Sequence, residues 1–368
     1  MTTPLSVLDL SPVVSGGTAA ESLRNSVDLA RRTESFGYKR FWVAEHHLVP
    51  GVASSAPSVL IALIAAATST IRVGSGAVLL GYYSPLSVAE QYGTIAALHP
   101  DRVDLGLGRS GFVKIRDLIS KLTSAPADTT PAKVVDGLLI PPKPKFAFGG
   151  PHFVDRFEAQ QELLGAREGV DYDAQVVEVL DFLEGTKEGF DSVVAHGAPL
   201  EVWVLGSSAG DSAAAAGRLG LPFTANYHVS PSTVLEAVGA YREAFVPSAR
   251  RDRPWVAVSA DVVVAPTTEQ ARELASPYGQ WVLSIRNGGG AAEFGTPAEA
   301  AAFEWTDEQR EIVKDRVDTQ FVGTPDEVVE RLHALRRAAG ADELIVTTIT
   351  HDHADRVRSY ELLADAWR

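Results

Sequence analysis

Strand-like apolar runs alternate with helical patterns eight times along the chain, and this alternation constrains the fold more than any other feature. Residues 5–10, 40–44, 71–80, 102–107, 201–205, 221–226, 255–264 and 342–348 read as strands. Between and after them lie helical patterns. The first opens at Thr18-Ala19-Ala20-Glu21, a capping box, and stops at Gly37. Further helices are expected over 58–67, 85–98, 211–219, 231–245, 267–285 and 352–367. A strand-then-helix order imposes parallel strands joined by right-handed crossovers. Eight such units predict a closed α/β barrel of the TIM (β/α)8 type rather than an open doubly wound sheet.

Two stretches break the rhythm inside this single barrel domain of residues 1–368. Residues 110–169 follow the fourth strand and are rich in proline and glycine, including Pro141-Pro142-Lys143-Pro144 and Gly149-Gly150-Pro151. They are too long for a plain βα loop, so an irregular excursion over the barrel mouth, or a lid, is expected. Residues 287–324 form a second insertion after the seventh helix. It starts at Gly288-Gly289-Gly290 and ends at Thr324-Pro325-Asp326-Glu327, a capped helix start with proline at the first helical position.

Composition narrows the function. Net charge is −14 over 368 residues, which argues against a nucleic-acid partner, because no basic face is available to pair with phosphates. The chain has no cysteine, so thiolate catalysis, thiolate metal sites and disulfides are excluded. Met1-Thr2-Thr3-Pro4-Leu5 lacks the basic-then-apolar pattern of a secretory signal, and the longest apolar run, 59–67, is far below the roughly 20 residues of a membrane span. A cytoplasmic protein acting on a small molecule is the expectation.

The chemistry-bearing residues fall at strand ends. Glu45-His46-His47 follows the second strand, where a barrel presents its loops to ligand. Histidine titrates nearest working pH, so the pair suggests proton handling, with a polar strand cap as the alternative. Gly106-Leu107-Gly108-Arg109-Ser110-Gly111 has dinucleotide-type glycine spacing but lacks the helix and the acid that such a site needs. Arg109 is the more useful residue, a bidentate phosphate donor at a strand end. Gly206-Ser207-Ser208-Ala209-Gly210 fits a nucleophile elbow, with Asp261 and His351 as conceivable partners. It equally places Ser207, Ser208 and Ser212 at the start of a helix, as ligands for an anion. Gly74-Ser75-Gly76 in the third strand marks a bulge or a close ligand approach. In His351-Asp352-His353, Asp352 reads as a helix cap rather than part of a metal site, and no metal is expected.

Together these pieces resemble the bacterial luciferase-like family of flavin-dependent oxidoreductases. The resemblance rests on residues 41–47 (FWVAEHH), 71–80 (IRVGSGAVLL), 102–109 (RVDLGLGR), 202–208 (VWVLGSS) and 322–327 (VGTPDE), in that order. It implies a TIM barrel and an enzyme using reduced FMN and O2 on a small organic substrate, a monooxygenase acting on paired donors. His46 is then the active-site group beside the flavin and Glu45 its orienting partner. Arg109, Ser207, Ser208 and Ser212 hold the flavin phosphate. Ser75 and Gly76 underlie the ring, sometimes through an unusual cis peptide. The family further implies a homodimer and a separate flavin reductase as partners. Three alternatives remain open on the same sequence: a deazaflavin-dependent hydride-transfer enzyme, a serine hydrolase using Ser208, and a non-catalytic flavin-binding protein.

Overall fold

Each of the eight expected strands forms, and each pairs in parallel with the next. In the computed structural model they are β1 (Leu5–Asp9), β2 (Arg40–Val43), β3 (Arg72–Ser75), β4 (Val103–Gly108), β5 (Leu200–Gly206), β6 (Phe223–Asn226), β7 (Val256–Val264) and β8 (Glu343–Thr347). The structure describes residues 3–109, 131–144, 151–166 and 171–368. Val7 pairs with Phe41, Phe41 with Val73, Val204 with Phe223, and β8 returns to β1 through Leu344 against Leu5, so the cylinder closes. The helices packed outside it are α1 (Ala19–Phe36), α2 (Pro57–Ala67), α3 (Pro85–Leu98), α4 (Tyr172–Glu184), α5 (Asp211–Arg218), α6 (Val234–Ala244), α7 (Pro325–Ala339) and α8 (His353–Trp367).

Local chemistry explains the boundaries. Thr18 and Glu21 form the capping box of α1, and Gly37 ends it at φ 88°, a left-handed conformation that only glycine adopts without strain. Asp352 accepts from the Ala354 amide and so caps α8. Thr324 and Glu327 box the start of α7, with Pro325 at its first turn.

Because strand side chains alternate, the barrel has two cores. Val7, Phe41, Val73, Leu105, Val204 and Val258 point outward and pack under the helices. Leu8, Trp42, Trp203, Leu205, Ala257 and Ile345 point inward. Trp42 and Trp203 meet edge to face at 5.1 Å and fill much of the interior. Trp42 fits beside Gly76, just past β3, where a Cβ would lie 2.8 Å from Leu8 and 3.3 Å from the Trp42 ring; a Cβ on Gly106 of β4 would lie 2.1 Å from the Ser75 carbonyl oxygen, so glycine also lets those two strands approach. Below the tryptophans a buried polar floor is built from Ser6, Arg40, Asp104 and Glu343.

Several expectations are corrected. Residues 71–80 are not one strand: β3 stops at Ser75, a cis peptide joins Gly76 to Ala77, and Val78–Leu79 forms a separate short strand on β4. Residues 267–285 form two helices, Thr268–Ala275 and Tyr278–Arg286. Pro277 separates them, since it has no amide hydrogen to continue the first. The described part of 110–169 is not irregular throughout. Lys133–Val135 and Leu138–Ile140 form an antiparallel hairpin across Asp136-Gly137, both at positive φ, and Pro151–Leu163 is a helix. Residues 287–324 carry helices Pro297–Ala302 and Asp307–Thr319, then a short strand, Phe321–Gly323, on the end of β7.

Candidate active site

The carboxyl end of the barrel gathers the chemistry. His46 lies three residues past the end of β2, its amide held by the Ser54 carbonyl at 2.9 Å. Its ring is exposed to the mouth and has no hydrogen-bond partner among the described residues. The protein crowded around it still penalises the charged form: burial holds its pKa below the ordinary 6.5, Glu45 opposes that, and His47 reinforces it. His46 is therefore a neutral imidazole at pH 7, with one N–H and one lone pair unspent.

Glu45 does not orient His46. Its buried carboxylate accepts from His47 Nε2 at 2.7 Å, the Tyr83 hydroxyl at 2.8 Å and the Leu79 amide at 2.9 Å. It ties the end of β2 to the segment that follows the cis peptide. Burial, then the Glu45 charge, pushes the Tyr83 phenol well up, so it stays a donor. His47 is consequently spoken for, with its ring edge-on to Tyr82 and its carbonyl accepting from Gln160 Nε2 of helix Pro151–Leu163 at 3.2 Å.

Ser75 is likewise internal. Its hydroxyl donates to the Gly106 carbonyl and accepts from the Gly106 amide, both at 3.0 Å, stitching β3 to β4. Gly76 lies at the start of the cis peptide, one residue beyond the expected Ser75-Gly76 bond.

Arg109, just past β4, reaches across to Asp211, the first residue of α5. Ser207 and Ser208 occupy the β5–α5 turn, and Ser212 is buried in the first turn of α5 beside Tyr172. The N-cap of α5 is Gly210, which supplies no side-chain hydrogen bond. The first turn of α5 therefore has no side-chain cap on its amides. The structure thus brings Arg109 and the three serines to one end of one helix, separate from the His46 loop but on the same rim.

The hydrolase constellation does not assemble. Asp261 is engaged by Tyr278 and Arg316, and His351 Nε2 bonds the Ser15 carbonyl at 3.1 Å.

Three groups had no clear signal in the sequence. His228, just past β6, bonds Ser259 through Nδ1 at 2.5 Å. Burial first, then Arg316, then His46 push its pKa down to about 3. It is a second neutral imidazole that feels the first. Tyr278 opens helix Tyr278–Arg286, and Arg316 lies on helix Asp307–Thr319 of the insertion. Only the position of His228, two residues after a strand, could have marked it.

A closed parallel barrel that gathers two neutral imidazoles and an uncapped helix start at its carboxyl rim has the architecture of the α/β-barrel enzymes. The chain belongs to the luciferase-like monooxygenase family, whose model matches residues 3–343. It is 37% identical to the Bacillus subtilis protein YvbT, over 100% of this chain and 97% of that one. Among solved structures, apo-MsnO8 is 33% identical and superposes with a TM-score of 0.76 over 100% of this chain and 98% of its own. The oxygenating constituent of Pseudomonas putida 3,6-diketocamphane monooxygenase, solved with FMN, shares the fold at 19% identity and TM-score 0.62, over 99% and 97% of the two chains.

Proposed function

We propose that the protein is a monooxygenase using reduced FMN and O2 on a small organic substrate. The observation that carries this reading is that one rim holds both an anion cradle and an unpartnered neutral imidazole. The cradle combines Arg109, the uncapped start of α5 and the hydroxyls of Ser207 and Ser208, and it fits a phosphate monoester. Asp211 engages Arg109 in the structure, so a phosphate would share or displace that contact. When bound, reduced FMN supplies the electrons that activate oxygen. His46 holds or accepts a proton at its free ring nitrogen, and His228, fixed by Ser259, stands near it as a second neutral acceptor. Trp42, Trp203 and Leu205 close the barrel below the mouth and keep water from entering from that side.

The test is a titration of the purified protein with FMN and with a deazaflavin, followed by oxygen consumption with the reduced form of the one that binds. Preference for the deazaflavin, with no oxygen uptake, would replace this reading by hydride transfer on the same barrel. Arg109→Ala is expected to weaken FMN by at least about 1.5 kcal/mol, a little over ten-fold, the low end for a hydrogen bond to a charged group. Superimposable titration curves for the variant and the parent would remove Arg109 from the cradle.

A further inference from the structure

Asp261 closes the inward face of β7. Ala257, Ser259 and Asp261 alternate along that strand, and Asp261 is the one nearest the carboxyl end. It is buried, as is the residue that answers it, Arg316, on helix Asp307–Thr319 of the insertion between β7 and α7. Arg316 Nη2 donates to Asp261 Oδ2 at 3.4 Å and to the Tyr278 hydroxyl at 2.8 Å, and Nε donates to the same hydroxyl at 3.0 Å. Tyr278 in turn donates to Asp261. Neighbouring Asp315 is committed to Arg286.

The guanidinium thus spends Nε and Nη2, while Nη1 has no partner among the described residues. Nor does Nη1 belong to the sealed, unpaired polar atoms of the interior. The two N–H groups of Nη1 therefore face accessible space, where a ligand can reach them, while the rest of the guanidinium is buried and held. Its partner Asp261 lies one inward position beyond Ser259, the residue that His228 bonds, so the guanidinium stands at the carboxyl end of β7 beside that imidazole.

We propose that Arg316 receives an anionic group of the substrate, a carboxylate, and so sets the end of the substrate away from the reacting atom. This rests on the reading of the barrel mouth as the substrate site, and it names the class of molecule that site takes. The geometry suits the task. Tyr278 and Asp261 hold the guanidinium in one orientation, so little side-chain freedom is lost when a carboxylate pairs with Nη1. Asp261 also limits the attraction, because it already neutralises part of the charge. The flavin phosphate has its own cradle at Arg109 and α5, on β4 and β5 rather than β7, so the two anions do not share a site. An arginine supplied by the insertion rather than by a strand makes specificity a property of the inserted helices, while the barrel carries the chemistry.

Calorimetric titration of the full chain at constant ionic strength tests this, with butanoate, hexanoate and octanoate set against their uncharged amides. At least one acid is expected to bind ten-fold or more tightly than its amide. Arg316→Gln abolishes that preference, whereas Arg109→Ala keeps it. Asp261→Asn, which removes the competing charge with little change of shape, is expected to tighten the acid several-fold and leave the amide unchanged. This second variant keeps the proposal open to test if Arg316→Gln does not fold. Equal binding of acid and amide, a preference that survives Arg316→Gln or disappears with Arg109→Ala, or weaker acid binding in Asp261→Asn would each overturn it. Because these titrations contain no flavin, they stand or fall separately from the FMN titration.

Discussion

Replacing His46 with alanine is expected to lower turnover with reduced FMN by about 10²–10⁴-fold, the usual contribution of a positioned acid–base group, while FMN affinity stays within about two-fold of the parent. The separation follows from the geometry. The proposed phosphate cradle lies on β4, β5 and α5, and no hydrogen bond joins His46 to it among the described residues. The ring has no hydrogen-bond partner to lose among the described residues, so its removal leaves no orphaned group behind. The pH profile carries a second signature. Burial, partly offset by Glu45, sets the His46 pKa below 6.5, so its neutral form is present at pH 6.5 and above and is lost as pH falls through the lowered value. The acid limb of kcat/KM is therefore expected below pH 6.5. It should disappear in His46→Ala, because His228, pushed to about 3, does not titrate in that range. Unchanged turnover in the variant would take His46 out of the chemistry. An acid limb that persists there would assign it to another group.

How much of this was legible in the sequence depended on whether the signal was local. The barrel was, because eight apolar runs with helices between them leave few topologies, and Thr18, Gly37, Asp352 and Thr324 marked helix ends through their own side chains or φ. The hairpin is also encoded locally. Asp136-Gly137 between Val134-Val135 and Leu138-Leu139 is the two-residue turn that favours positive φ at both positions. The same holds for Thr296-Pro297-Ala298-Glu299 and Thr306-Asp307-Glu308-Gln309, capping boxes that open the inserted helices. Partner choice was another matter. Glu45 adjoins His46 in sequence but turns to His47, Tyr83 and Leu79, since its carboxylate lies inside the rim while the His46 ring faces the mouth. The Ser75 hydroxyl stitches β3 to β4, a cross-strand pairing that its own segment does not encode. Arg316 reaches Asp261 over 55 residues, a meeting no local pattern encodes.

The largest stability effect is expected at the opposite end of the barrel. Asp104 is fully buried and accepts from Arg40 at 2.8 Å, from the Trp42 indole at 2.9 Å and from Arg72 Nε and Nη2 at 2.9 and 2.6 Å. Arg40 also lies over the Trp203 ring at 4.7 Å and bonds Glu343, whose pKa burial raises against the pull of Arg40. Asp104→Ala removes the shared acceptor of two arginines and an indole at once. Arg40 keeps Glu343 and the half-exposed Glu201, Arg72 keeps only backbone carbonyls, and the Trp42 N–H is left buried without a partner. Breaking a buried charge network by deleting one member costs about 3–5 kcal/mol, and a lower urea midpoint at unchanged slope is the expected readout. Asp104→Asn, which keeps one acceptor oxygen but turns a donor toward a guanidinium, should fall between. A loss below about 1 kcal/mol for Asp104→Ala would mean that solvent reaches the floor and the arginines do not depend on Asp104. Because this floor lies beneath Trp42 and Trp203 and the mouth lies above them, the protein that remains folded is expected to bind FMN like the parent. The division follows from the barrel itself, whose amino-terminal end holds it together while its carboxyl-terminal end is left to chemistry.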